Sequence, residues 1–246
     1  MTRRGVIVLD GASAFDPAAP SADQYVDALL AALSSRLDTP TDLTTVLRDA
    51  ISTTSRQLGL TPGDGPSSTV VLLRESGQWL ELAVLGDSTA LIGLRDGRTE
   101  RLTDDRMSAV AARLRTGYRD RLRNGSGYDA THKEQLRQIQ RAERAARNTD
   151  DGYWIAEADA GAADHAIIRR YPRHQVAWCV LATDGAQRGF DHHGLDWASL
   201  ADATEDELRR RLADLHQWEA EADPDGVHLP RAKRHDDKTV VAWSSR

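Results

Sequence analysis

Apolar residues recur along this chain with two periods, and the switch from one to the other marks the elements. Residues 5–9 are a continuous aliphatic run, short enough for a buried strand, that ends at the turn dipeptide Asp10-Gly11. Ser21-Ala22-Asp23-Gln24 then has the spacing of a capping box, and Tyr25, Val26, Leu29, Leu30, Leu33 and Leu37 follow on one helical face. A second amphipathic helix starts near Asp42, buries Leu43, Val46, Leu47, Ala50, Ile51 and Leu58, and stops at Gly59. Residues 60–67, with Pro62, Gly63, Gly65 and Pro66, form a loop. Strand-like runs follow at 69–73, 79–85, 90–94 and 99–103, the last after an Asp96-Gly97 hairpin turn, and the economical arrangement is an antiparallel meander. The region 106–148 is helical and polar, broken at Gly125 and Gly127, with Leu136, Ile139 and Ala142 as a narrow apolar stripe. Strands are expected again at 153–156 and at 176–183, the latter apolar throughout and so central in its sheet. Thr204-Glu205-Asp206-Glu207 is a second capping box, opening a helix through Leu208, Leu212 and Leu215, and residues 239–243 form a last strand. The hairpins and helix pairs together predict an α+β fold, antiparallel sheets with helices packed outside.

Composition narrows the class. The 246 residues are 40% hydrophobic and 28% charged, with no Pro/Gly/Ser-rich linker, so a single domain spanning 1–246 is expected. No apolar run approaches the roughly 20 residues that span a bilayer, and the N-terminal run turns acidic too soon for a secretory signal. The one cysteine, Cys179, excludes a disulfide framework or a Cys-rich zinc module and points to a reducing, cytoplasmic setting. The formal charge of −6 argues against a nucleic-acid partner. It is also segregated: residues 111–147 hold ten Lys/Arg against four Asp/Glu, a net of +6, which leaves −12 on the remainder. Acids interleave with those bases and only Tyr118 and Tyr128 supply aromatics, so a solvated helix face explains the segment better than a nucleic-acid-binding module.

The candidate chemistry lies in acids at strand ends. Asp10 in Val8-Leu9-Asp10-Gly11, Asp184 in Ala182-Thr183-Asp184-Gly185 and Asp236 in Asp236-Asp237-Lys238-Thr239-Val240-Val241 share that context, and Asp87 in Gly86-Asp87-Ser88 is a fourth case. Singly, an Asp-Gly is a turn dipeptide. Converging at one sheet edge, such carboxylates repel unless a cation neutralises them, and an oxygen-only donor set selects Mg²⁺ or Mn²⁺. A glycine after the aspartate lets a backbone carbonyl approach the ion. His235 stands beside Asp236, whereas His192-His193 reads as loop decoration.

In order and spacing, Val6-Ile7-Val8-Leu9-Asp10-Gly11, Pro66-Ser67-Ser68-Thr69-Val70-Val71, Leu85-Gly86-Asp87-Ser88, Leu102-Thr103-Asp104-Asp105, Leu181-Ala182-Thr183-Asp184-Gly185 and Asp236-Asp237-Lys238-Thr239-Val240-Val241 resemble the metal-dependent protein phosphatase 2C family. Gly152-Tyr153-Trp154-Ile155-Ala156 and Ala222-Asp223-Pro224-Asp225-Gly226 add a likeness to a bacterial, actinobacterial-looking branch. The resemblance implies a four-layer sandwich of two antiparallel β-sheets flanked by helices, with two Mn²⁺ or Mg²⁺ ions at one edge. By position, Asp10 bridges the ions, Gly11 offers its carbonyl, Asp184 and Asp236 complete one ion's shell, and Asp87 stands behind them or holds a weaker third ion. It also implies a metal-activated water as the nucleophile, with no covalent intermediate on the protein, and a phosphoprotein or small phosphoester as substrate.

Departures from that family qualify the reading. Members carry an N-terminal strand with a phosphate-binding arginine and a Glu-Asp pair ahead of the Asp-Gly strand, and here nine residues precede Asp10. That first strand is expected to be missing, which would bare a sheet edge and favour a homo-oligomer or another partner covering it. Arg3 and Arg4 do not match the absent element, Ala12 and Ser13 stand where eukaryotic members have histidine, and Arg188 lies near the place of a further acid. The segment 106–150 is expected as a helical insert near the site mouth. The primary expectation is a serine/threonine protein phosphatase; the alternative is a catalytically weak or inactive phosphatase-like module that binds a regulatory partner.

Overall fold

The computed structural model describes residues 5–12, 14 and 18–245. Arg3, Arg4 and Ser13, singled out above, lie outside them.

Strand β1 (Gly5–Ala12) is followed by helices α1 (Ala22–Ser34) and α2 (Leu43–Leu58), then by strands β2 (Ser67–Ser76), β3 (Trp79–Leu85), β4 (Thr89–Leu94) and β5 (Thr99–Leu102). Helices α3 (Arg106–Ala109), α4 (Ala112–Arg123) and α5 (Ala130–Ala146) come next, then β6 (Ile167–Pro172) and β7 (Val176–Ala182). The chain closes with α6 (Asp184–His192), α7 (Trp197–Ala201), α8 (Glu205–Glu221) and β8 (Val240–Ser244). Two antiparallel four-stranded sheets result, in the orders β1-β2-β3-β6 and β5-β4-β7-β8.

Local chemistry sets the helix ends. Ser21 and Thr204 form complete capping boxes with Gln24 and Glu207. Asp42 caps α2, and Gly59 closes it in the left-handed conformation at φ 63°. Helix α1 ends at Ser34, one turn short of the expected Leu37, which is fully buried in the turn that follows.

Alternation along the strands builds the layers. Val6 and Val8 of β1, Val71 and Leu73 of β2, and Leu80, Leu82 and Val84 of β3 face Ala90, Ile92, Cys179 and Leu181 of the second sheet, forming the central core. Their neighbours Ile7, Leu9, Val70, Leu72, Ala83 and Leu85 pack outward on Leu29, Leu33, Leu47 and Ile51 of α1 and α2. Across the molecule Leu91, Val180 and Ala182 pack on Phe190, Trp197, Leu200 and Leu215 of α6, α7 and α8. The order of layers is therefore helices, sheet, sheet, helices, with β7 central in its sheet, as its unbroken apolar run requires.

Three expectations about local elements are corrected. Strands β2 to β5 are not one meander: β2 and β3 pair in the first sheet, β4 and β5 in the second. The transfer occurs at Gly86, whose φ of +87° suits glycine and whose backbone approaches Thr69 so closely that a Cβ there would stand 2.9 Å from Thr69 Cγ2. Asp10-Gly11 does not turn the chain, because β1 stays paired through Asp10↔Thr69, Gly11↔Ser68 and Ala12↔Ser67. Residues 153–156 make only isolated bridges, Ser68↔Ala156 and Arg147↔Tyr153, rather than a strand. The edge strand β6 and helices α6 and α7 carry no signal strong enough to be expected from sequence.

Candidate metal centre

Register brings the acids together. In β1 the alternation that turns Val6 and Val8 into the space between the sheets places Asp10 on that same inward face. In the second sheet Thr89 pairs with Ala182, so Asp87, two residues before Thr89, and Asp184, two residues after Ala182, leave the same end of a β4–β7 ladder. Strand β8 pairs with β7 through Val240↔Ala182, and Thr239 N–H donates to Thr183 Oγ1 at 3.0 Å, which delivers the preceding Asp236 to that end. Gly185 makes the convergence possible: a Cβ there would stand 2.4 Å from the Asp237 carbonyl and 3.2 Å from Asp236 Cβ. Thr69 Oγ1 and Ser88 Oγ share a buried hydrogen bond of 2.6 Å, tying the first sheet to the turn that carries Asp87.

The carboxylates feel one another. Burial, then the charges of Asp184, Asp236 and Asp87, push Asp10 up to about 7. Burial, then Asp184, push Asp87 up to about 7. Asp184 is raised by burial and then by Asp236, with the Arg188 guanidinium working against it. All four predicted acids thus share one electrostatic centre, at the end of the space between the sheets.

Basic residues surround this centre, and the sequence did not mark them. Lys233 Nζ lies 3.1 Å from Asp236 Oδ1, and the charges of Asp236, Asp237 and Asp10 raise its pKa against the opposing effect of its own burial. The loop that carries Lys233 and Asp236 is braced by buried Glu219 of α8, whose Oε2 accepts from Lys238 Nζ at 2.8 Å and lies 3.2 Å from His235 Nδ1. Arg231, also buried, pairs with Asp223 at 2.6 Å, and Asp223 accepts from His228 and Leu229 N–H. This is the structural content of the Ala222-Asp223-Pro224-Asp225-Gly226 segment. His192 and His193 pack on Trp218, one ring tilted and the other edge-on.

Clefts open on both sides. One, of about 500 Å³, is lined by Gly11, Ala12, Gln140, Glu143, Arg147, Lys233 and Asp237 among others. Another, of about 250 Å³, reaches Asp87 and Asp184. Among the described residues, the one group of three or more His, Cys, Asp or Glu donors with atoms all within 4.8 Å of one another is His216, Glu219 and His235. There the Lys238 ammonium already holds the carboxylate. The oxygens of Asp10, Asp184 and Asp236 stand further apart than that, with Asp236 turned to Lys233. The acids nevertheless fit hard divalent cations: they are oxygen donors and partly buried, and neighbouring carboxylates add to burial in raising Asp10 and Asp184.

A two-sheet sandwich with helices on both outer faces and an acid cluster at one end of the inter-sheet space is the arrangement that the sequence resemblance implies. The family model described as Protein phosphatase 2C matches residues 2–225, and the chain belongs to that family. The match includes Asp10, Asp87 and Asp184 and stops before Asp236. No curated protein matches the chain. Solved structures share the fold: a bacterial serine phosphatase at 13% identity and TM-score 0.56, covering 98% of this chain and 85% of that one. The serine/threonine phosphatase Stp1 of Staphylococcus aureus is similar at 13% identity and TM-score 0.54, covering 98% and 84%. The serine/threonine phosphatase PstP/Ppp of Mycobacterium tuberculosis is similar at 16% identity and TM-score 0.50, covering 99% and 89%. The expected fold class is borne out.

Proposed function

We propose that this protein is a metal-dependent phosphoester hydrolase acting on phosphoserine or phosphothreonine, with Mn²⁺ or Mg²⁺ held by the Asp10, Asp184 and Asp236 carboxylates and the Gly11 carbonyl. The observation that carries the reading is the convergence of Asp10, Asp87, Asp184 and Asp236 at one end of the inter-sheet space, where burial and neighbouring carboxylates raise the first three. Such a cluster is costly to the fold unless cations neutralise it. When bound, the cations supply Lewis-acid charge that acidifies water and neutralises a phosphoryl group.

The chain's own residues do the rest. Asp10 is positioned by its ladder partner Thr69, and Asp184 by the start of α6. Asp87 lines the same cleft as Asp184 and adds its charge to the centre, standing behind the cations' carboxylates or holding a weaker third ion. Lys233 neutralises Asp236 and stands ready to face an anionic substrate once a cation takes its place on that carboxylate. The domain spans the chain, and α3, α4 and α5 supply the walls beside the centre. Cys179 is buried in the core and its thiol is pushed above its usual range, which removes it from the chemistry and suits a cytoplasmic protein. No helix of the described residues is long and apolar enough to cross a membrane.

The test is hydrolysis of an aryl phosphate and of a phosphothreonine peptide with Mn²⁺, Mg²⁺ and a chelator. Turnover that requires the cation and disappears in Asp184→Asn supports the assignment; turnover indifferent to either change overturns it.

A further inference from the structure

The cleft of about 250 Å³ beside Asp87 and Asp184 has a basic wall. Arg115 and Arg119 are four residues apart on α4 and so share one helix face. Arg188 comes from α6 and Arg101 from the end of β5. Two of these arginines are paired with carboxylates, and a third gives one donor to a backbone carbonyl. Arg101 pairs with both oxygens of Asp191, at 3.0 and 2.8 Å. Arg115 donates to the Val110 carbonyl at 3.1 Å and pairs with Glu143. Arg188 Nη2 donates to the Pro230 carbonyl at 2.8 Å.

Arg119 is different. Its Nε is buried without an acceptor, and among the described residues no carboxylate pairs with its guanidinium, whose one ring contact is Tyr118 at 5.8 Å. A desolvated guanidinium donor with no partner is costly to the resting fold. A phosphoryl group entering the cleft that Arg119 lines would give its guanidinium an anionic partner, in the planar, forked geometry that arginine favours. The cleft volume lies below the roughly 300–1,000 Å³ of pockets for larger small molecules, so it suits a phosphoryl group on a short side chain.

We propose that Arg119 is the substrate-phosphate clamp of this protein, binding the phosphoryl group of a phosphorylated serine or threonine side chain in the cleft next to Asp87 and Asp184. The inference rests on the phosphatase reading above for the identity of the anion. Arg188 and Arg115, fixed by their own partners, shape the cleft and add positive potential. Among the described residues the Arg119 guanidinium makes no hydrogen bond or ion pair, whereas each of the other three arginines already spends at least one donor.

The experiment uses the full chain with Mn²⁺. Steady-state hydrolysis of a phosphothreonine peptide gives KM and kcat, and calorimetry with inorganic phosphate gives a binding constant that does not depend on turnover. Arg119→Gln is expected to raise KM and weaken phosphate about tenfold or more, the range of a charge-assisted hydrogen bond. Its kcat is expected to stay within about threefold, as for a residue that binds substrate and transition state alike. Arg119→Lys, which keeps the charge without the fork, should fall between the two, and it replaces Arg119→Gln if circular dichroism shows that variant unfolded. KM and phosphate affinity both within about twofold of wild type in a folded variant would overturn the clamp. So would wild-type protein that does not bind phosphate. A wild type that binds phosphate through Arg119 but hydrolyses nothing would instead sink the phosphatase reading and leave the anion site standing.

Discussion

Replacing Asp10 by asparagine should make the metal-free protein more stable, although it removes a carboxylate proposed to hold the cations. Burial and three neighbouring carboxylates raise Asp10 from 3.8 to about 7. At about 1.4 kcal/mol for each tenfold change, that rise withholds about 4 kcal/mol from the metal-free fold at alkaline pH. Asp87 and Asp184 carry part of the same repulsion, so the relief from neutralising one site is roughly 2–4 kcal/mol. The sign follows from the direction of the rise. A carboxyl with an elevated folded-state pKa favours the fold fully below its unfolded value and loses that contribution as pH climbs through the folded value. Wild type should therefore weaken relative to Asp10→Asn between about pH 4 and pH 7 and stay weaker above. In chelator at pH 8, thermal unfolding followed by circular dichroism should place Asp10→Asn about 5–10 °C above wild type, and the curves should converge near pH 4. Mn²⁺ at about 1,000 times its Kd should close or invert the gap, since it adds about 4.1 kcal/mol to wild type alone, at least the size of the relief. A variant no more stable than wild type at pH 8, or a gap that does not change with pH, would refute the view that these carboxylates share a repulsive centre.

Three further outcomes test the surrounding structure. Asp184→Asn should lower Mn²⁺-dependent hydrolysis of an aryl phosphate at least about 100-fold, measured as kcat/KM, and a loss under tenfold would remove Asp184 from the centre. Gly185→Ala puts a Cβ 2.4 Å from the Asp237 carbonyl, so it should cost about 1–3 kcal/mol in urea unfolding. It should also weaken Mn²⁺ binding by calorimetry by moving Asp236; unchanged affinity would show that this close approach does not set the place of a cation-holding Asp236. Glu219→Gln leaves the buried Lys238 and Arg231 without their shared carboxylate and should destabilise the protein by about 3 kcal/mol, with less than about 1 kcal/mol arguing that the network is slack.

What could be read from sequence is what short-range chemistry decides. The caps at Ser21, Asp42, Gly59 and Thr204 are complete within one helical turn, so their signals survive without any tertiary context. The transfer between sheets at Gly86 depends on Thr69, seventeen residues earlier, and β6 has a half-exposed, arginine-rich pattern that makes sense only against β3. Helix α6 begins at Asp184, in the Asp-Gly that also looks like a turn. A turn-like dipeptide inside a paired strand, as at Asp10-Gly11, misleads in the opposite way.

The same division runs through the site. Asp10, Asp87, Asp184 and Asp236 stood out because a carboxylate at the end of an apolar strand is conspicuous. Lys233 and Arg119 were not, because a single base in a basic loop or helix looks like any solvated charge until a neighbour is placed. Sequence showed that positive charge was concentrated in residues 111–147, and interleaved acids suggested a solvated face. The fold separates the bases of that segment by their partners. Arg121 and Arg123 pair outward with Asp129 and Asp120, as a solvated face requires. Arg115 and Arg119 line the cleft that reaches Asp87 and Asp184, while Arg147 lines the cleft on the Gly11 and Lys233 side. The charge segregation is therefore part of the site: an acidic floor that calls for cations, and a basic wall suited to the anion those cations would act upon.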